Sequence, residues 1–326
     1  MSFVAILIAL LLEQARPVGR GNTVHSALRY WVGWCGRTFD AGKPYQAGLA
    51  WSAAVLLPAL VALTVYWLLA GLTDWPLAVV WNILVLYHCL GFRQFSHHFT
   101  DIRDALEAGN EAQARERLAH WQHGDVNDLP RSEIVRQVVE HSVIAAHRHV
   151  FGSLAWFSVL AAFGFGPVGA VIYRLAEFVP RYWAREKSTR IRPVSEAAQQ
   201  VASDLWHLLD WLPARITAVG FAVTGSFEEA IDNWRQYERR ARVTNDGVIL
   251  ASTAGAINLR LGTVSEPTMA DANGASDGSG TMRASTMNAG MEPEVGHLRI
   301  VVGLVWRTVV MWMVLLALLS LARLLG

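Results

Sequence analysis

The sequence predicts an all-α, polytopic membrane protein with discontinuous or re-entrant helices and a cytoplasmic helical block, and three observations lead there. First, 53% of the 326 residues are hydrophobic and 17% charged, and the apolar ones are gathered into long runs rather than spread along the chain. Second, arginines crowd the segments between those runs although the formal charge is only +1, which reads as a topology signal before a nucleic-acid one. Third, two apolar runs carry residues that break helices, Gly164–Gly169 and Pro213. Cys35 and Cys89 are the only cysteines and share no CxxC spacing, so neither a disulfide framework nor a zinc knuckle is expected.

Residues 1–46 read as a short N-terminal anchor followed by an interfacial helix. Ser2–Leu12 falls short of the roughly 20 residues that a perpendicular span needs, and it lacks a cationic leader or cleavage site. Arg16, Arg20, Arg29, Arg37 and Lys43 put the following stretch on the cytoplasmic face, with Tyr30, Trp31 and Trp34 at the interface. Residues 47–92 form a transmembrane hairpin, Ala47–Leu72 and Leu77–Phe92, turning outside at Thr73–Pro76. Residues 93–149 form a cytoplasmic helical segment. Gly109 should cap one helix and Asn110 start the next, and a second break at Gly124–Pro130 leads to Ser132 as an N-cap.

Residues 150–262 are read as the core, with two broken insertions that meet from the cytoplasmic side. One is Val150–Pro180, interrupted at Gly164–Gly169, and the other is Leu205–Thr224, interrupted at Pro213. Their flanks, Arg148 on one side and Arg181, Arg185, Lys187, Arg190, Arg192, Arg235, Arg239, Arg240 and Arg242 on the other, then all lie inside. Residues 263–296 are rich in Gly, Ser, Asn and Asp and should form a disordered linker. Residues 297–326 supply the last transmembrane helix.

Asp210-Trp211-Leu212-Pro213-Ala214-Arg215 is the most informative stretch. An acid and a guanidinium inside membrane-grade hydrophobicity need partners, since an arginine at mid-bilayer costs about 2.5–3.5 kcal/mol on the mildest scale. Pro213 removes a backbone donor, so the carbonyl it frees must be satisfied elsewhere. The segment is expected to floor a polar site, the alternative being an Arg215 that snorkels to headgroups with Asp210 as a local partner.

That stretch resembles the N-W-I-P-A-R-L-T signature of the CobD/CbiB family and the D-W-V-P-V-R segment of the related AmpE proteins. Further stretches are similar in collinear order. Ser132–Glu140 resembles S-E-I-A-R-x-x-V-E, Gly166–Arg174 resembles G-G-P-L-A-M-A-Y-R/K, and Asn245-Asp246-Gly247 followed by Ala254–Gly262 resembles N-x-G and A-G-A-L-G-V-R-L-G. The resemblance implies a bacterial inner-membrane protein with its main loops in the cytoplasm. For the active family it implies ATP- and magnesium-dependent joining of aminopropanol or its phosphate to adenosylcobyric acid.

Several acids of the family pattern are replaced here. His141 and Ile144 stand where it has Asn and Asp, Glu177–Tyr182 replaces N-T-L-D-S-M, Trp206–Trp211 replaces D-D-V-A-N-W, and Leu250 replaces a glutamate. The resemblance therefore favours an AmpE-like binding or regulatory protein with an arginine-lined pocket, and keeps the synthase as the alternative. Arg136, Arg174, Arg215 and Arg260 would hold an anionic amphiphile or corrinoid. Glu140, Tyr173, Asp210 and Asn245 would add polar contacts, with Gly247 and Gly255 allowing close backbone approach. In the synthase alternative Glu133, Glu140, Glu177 and Asp210 are the remaining acids. Membrane lipid and a second copy of the chain are further partners, and nucleic acid is not expected.

The histidines suggest no metal site. His97 and His98 are adjacent, and His147 and His149 are two apart, so neither pair shares a face of an α-helix. Contact with headgroups at the interface is the expected role. No Walker P-loop or Ser-His-Asp arrangement stands out, and a common nucleotide fold or hydrolase is not expected.

Overall fold

Proline and glycine punctuation sets most helix boundaries. In this computed structural model residues 2–15, 23–73, 76–122, 129–189, 194–239, 243–264, 285–286 and 290–325 are described. Most of the expected linker, the break after Gly124, and Arg16, Arg20, Arg190, Arg192, Arg240 and Arg242 lie outside them. The helices are α1 Ser2–Ala15, α2 Thr23–Phe39, α3 Pro44–Thr73, α4 Pro76–Cys89, α5 Phe92–Glu107, α6 Glu111–Gln122 and α7 Arg131–Ala146. A π-helical turn, His147–Phe151, joins α7 to α8 Gly152–Ala162. Then follow α9 Val168–Thr189, α10 Glu196–Thr224, α11 Phe227–Glu238, α12 Asn245–Ala256 and α13 Val295–Leu325. Two short strands, β1 Thr263–Val264 and β2 Ser285–Thr286, pair antiparallel.

Pro44 and Pro76 open α3 and α4, where a missing backbone donor costs nothing. The turn at Gly109 is a Schellman cap: Asn110 N–H donates to Ala105 O at 2.9 Å and Gly109 N–H to Leu106 O at 3.2 Å, with Gly109 at φ 75°. Asn110 Oδ1 then accepts from Gln113 N–H at 3.1 Å, capping α6 as expected. The glycine break between α8 and α9 is also present, with Gly164 at φ 83° and Gly166 at φ 53°.

The second expected break is not. Pro213 lies inside the uninterrupted α10, so Leu205–Thr224 is a continuous helix. Nor does the polar block stop at His149, because α7 runs through the π-turn into α8. Among the described residues three stretches are long and apolar enough to cross a membrane: Pro44–Leu72, Arg131–Ala162 and Val295–Ala322. α1 and α4 are apolar but shorter.

The chain divides into two units, within α5, α7, α10 and α13. The first comprises Met1–His97, Ala145–Thr217 and Val309–Gly326. Its core is built on Trp183, Tyr173, Trp51, Trp206, Val32 and Cys35 from α2, α3, α9 and α10. Trp183 Nε1 donates to Val32 O at 3.2 Å. Asp40, just past α2, accepts from both the backbone N–H and the hydroxyl of Ser195 at 2.7 Å. Ser195 in turn accepts from Ala198 N–H and so caps α10.

The second unit comprises His98–Ile144 and Ala218–Thr308. Its centre is the α11–α12 hairpin, capped by Thr244, whose hydroxyl accepts from Gly247 N–H at 3.1 Å. Ser252 donates to Ala218 O at 2.8 Å and ties α12 to the end of α10. Further along the same unit, Met291 N–H donates to Asn258 O and Arg260 N–H to Met291 O.

Candidate functional site

Pro213 explains how α10 stays whole. It has no N–H to offer Leu209, four residues earlier, and the Trp156 indole of α8 donates to Leu209 O at 3.0 Å instead. The partner that the sequence required is thus a side chain on another helix. Asp210, beside this repaired carbonyl, is 1% exposed and enters the first unit's interior.

There Asp210 meets His147. The ring is fully buried, with Nε2 2.8 Å from Asp210 Oδ1 and Nδ1 2.9 Å from Thr217 Oγ1. Tyr173 donates its hydroxyl to the same Asp210 Oδ1 at 2.8 Å and lies 3.3 Å from His147 Nε2. A neutral imidazole fits these partners, donating from Nε2 to the carboxylate and accepting at Nδ1 from the threonine hydroxyl. Chemically, such a chain fixes a carboxylate and orients it.

The local backbone is built for this contact. His147 begins the π-turn, a wider winding that is often found at functional sites. Five residues on, a Cβ at Gly152 would lie 2.1 Å from the Tyr173 ring, so only glycine leaves room for that phenol. Headgroup contact, the role expected for His147, is therefore corrected: the two polar residues in apolar helices satisfy each other across 63 positions of sequence.

Four of the expected site residues belong to this unit. Tyr173 and Asp210 come together. Arg174 instead pairs with Glu177 at 3.1 Å, and Arg181 pairs with the same buried glutamate. Arg215 folds back along its own helix, its guanidinium 4.3 Å from the centroid of the Trp211 ring and its Nη1 donating to Trp211 O at 3.2 Å. It is partly exposed, and Trp211 is 52% exposed. Where a buried anion site was expected around Arg215, the cation has a π-face and a carbonyl of its own helix beside it.

The other six belong to the second unit. Arg136 is held by both carboxylate oxygens of Glu133 and by Glu140. Glu140 Oε1 also accepts from Gly262 N–H at 2.7 Å. Two of the motif stretches are thereby fastened together, and the Arg136 charge is already met by two acids. Asn245 opens α12 and is buried. A Cβ at Gly247 would lie 1.9 Å from the Tyr237 hydroxyl, and one at Gly255 would lie 2.2 Å from the backbone oxygen of Glu229. Both glycines are used by α11 packing on α12. Arg260 is exposed, and its backbone bonds to Met291.

His147, Thr217 and Trp156 join the candidate site around Asp210 and were missed by the sequence reading. A usable signal existed: Asp210 and His147 are both ionisable residues in apolar helices, and such residues pair with one another. No group of three or more His, Cys, Asp or Glu able to hold a metal ion occurs among the described residues.

Comparison with known proteins gives a consistent result. A family model described as "CobD/Cbib protein" matches residues 4–270. The "Cobalamin biosynthesis protein CobD" of Stutzerimonas stutzeri is 28% identical over 325 residues, 96% of this chain and 96% of that protein. The protein of the same name from Chromobacterium violaceum is 31% identical over 215 residues, 66% of this chain and 64% of that one. A "Probable cobalamin biosynthesis protein CobD" of Thermoplasma volcanium is 27% identical over 258 residues, covering 76% and 77%. No solved structure matches.

Proposed function

Because the chain belongs to the CobD/CbiB family, we propose that it serves cobalamin biosynthesis as an amide-forming synthase, joining adenosylcobyric acid to aminopropanol or its phosphate at the expense of ATP. The observation that carries this reading is likeness along nearly the whole chain, 96% of it and of the Stutzerimonas stutzeri relative. Relatives named for cobalamin biosynthesis weigh towards synthesis and away from the AmpE-like binding role that the replaced acids suggest. The expected anion pocket gains no support from Arg136 and Arg174, whose charges are taken up by Glu133, Glu140 and Glu177.

Magnesium accompanies ATP in this class of reaction, and the residues present do not fit a resident ion. Such a site needs several converging carboxylate oxygens, whereas Glu133, Glu140 and Glu177 are paired with arginines, Asp210 has a single oxygen outside its bonds to His147 and Tyr173, and no group of three or more His, Cys, Asp or Glu able to hold an ion occurs among the described residues. Magnesium would come on the nucleotide's own phosphates, and no step is assigned to it.

On this reading the chain crosses the bacterial inner membrane several times and keeps its polar loops in the cytoplasm, where ATP and the corrinoid are found. Membrane lipid surrounds it, and a second copy is a further partner. Complementation tests the reading: a strain lacking the cobalamin amide-forming step should grow on cobyric acid when this chain is expressed. No growth at normal membrane expression would overturn it.

A further inference from the structure

Asp210 differs from the other three acids in what its carboxylate still lacks. Glu133 and Glu177 each have both oxygens against arginine, and Glu140 bonds Arg136 and the Gly262 amide. The hydrogen bonds to Asp210 come from no arginine. Both of its donors, His147 Nε2 and the Tyr173 hydroxyl, converge on Oδ1. Oδ2 is buried and accepts no hydrogen bond.

A buried carboxylate oxygen left open costs more than an ordinary missing bond, because the charge has lost its water. His147 is held at its far side by Thr217, Tyr173 is seated against Gly152, and the neighbouring carbonyl is tied to Trp156. Three helices and a π-turn thus fix one oxygen of the pair and leave the other without a donor. What suits it is a donor that brings positive charge, and a primary ammonium is compact and carries three donors.

We propose that Asp210 Oδ2 is the binding point for a small primary ammonium, the amine end of the cosubstrate, with His147 and Tyr173 as positioning residues that hold the carboxylate. This rests on the synthase reading for which amine is used, and on the geometry for where the nitrogen sits. The open oxygen selects the charged nitrogen and discriminates against a hydroxyl in its place. It also gives the nitrogen's proton a nearby carboxylate to move to when the free amine is needed as a nucleophile.

The test uses the full-length protein in phospholipid nanodiscs, titrated at pH 7 with 1-aminopropan-2-ol and with propane-1,2-diol, which replaces the nitrogen by a hydroxyl. The amine should saturate the wild type with affinity about tenfold or more above the diol, the scale of a hydrogen bond to a charged group. Asp210→Asn, nearly isosteric, should abolish that preference, while Tyr173→Phe should keep it with a few-fold loss. Equal binding of amine and diol by the wild type overturns the inference, and so does an Asp210→Asn protein that still prefers the amine. If Asp210→Asn fails to fold, the wild-type comparison decides alone. A chain that complements but does not discriminate refutes this site and leaves the synthase reading standing; discrimination without complementation does the reverse.

Discussion

Replacing Trp156 with Phe should leave Leu209 O without a donor, and the cost should depend on residue 213. In the native chain the indole N–H, 3.0 Å from that oxygen, substitutes for the amide that Pro213 lacks. Stranding a buried carbonyl costs about 1–3 kcal/mol, to which a small packing loss is added because Phe fills less space. In a Pro213→Ala background, the backbone N–H restored at that position can take up the ordinary helical bond to Leu209 O. Trp156→Phe should then cost only the packing loss, below about 1 kcal/mol. The four proteins form a double-mutant cycle with an expected coupling of about 1–2 kcal/mol. Unfolding midpoints in mixed detergent–SDS micelles, read by tryptophan fluorescence and circular dichroism, provide the measurement. Effects that add to within about 0.5 kcal/mol would mean that the indole and the proline act independently, and the account of why α10 remains unbroken would fail.

Gly152→Ala should destabilise the protein by about 1–3 kcal/mol or more through overpacking against the pinned Tyr173 ring. Gly303→Ala in α13, where an added Cβ meets nothing within 4 Å, should be neutral or gain up to about 1 kcal/mol in helix propensity; the same unfolding titration separates them. Arg136→Gln strands Glu133 and Glu140 and should cost about 2–3 kcal/mol. Arg136→Lys should restore little of it, because an ammonium cannot bridge both carboxylates as the planar fork does. Burial pushes the Cys35 thiol from 9.0 up to about 11. At pH 8 its thiolate fraction is therefore about a hundredfold below that of the unfolded chain, and maleimide labelling should be slow until denaturant is added, which mass spectrometry can follow.

What the sequence revealed about the fold was local. The Gly109–Asn110 junction and the break at Gly164–Gly166 were legible because left-handed glycines and side-chain caps act within a few residues. The need for a donor near Pro213 was legible too, but not its source, since Trp156 lies 53 positions away. The same distance accounts for the mistaken break in α10: a proline removes one bond, and a helix survives when tertiary contact replaces it.

The candidate site was half legible. Asp210 and Tyr173 were named and do meet. His147 was set aside by spacing arguments valid for an α-helix, whereas it opens a π-turn with a different winding. The arginines misled for a physical reason. Long cations find partners on their own helix surface, as Arg136, Arg174 and Arg215 all do, and their number in a sequence says little about a free positive pocket.

The fastening of Glu140 to the Gly262 amide, with Asn258 and Arg260 bonded to Met291 close by, has a practical outcome for the chain between. Positions 258–262 and 291 are stitched to one another and to α7, so lengthening the chain between them costs little in closure entropy, about 0.6 kcal/mol for each doubling. An affinity handle or a reporter protein spliced in there would ride on a closed seam and leave the helical body as it was.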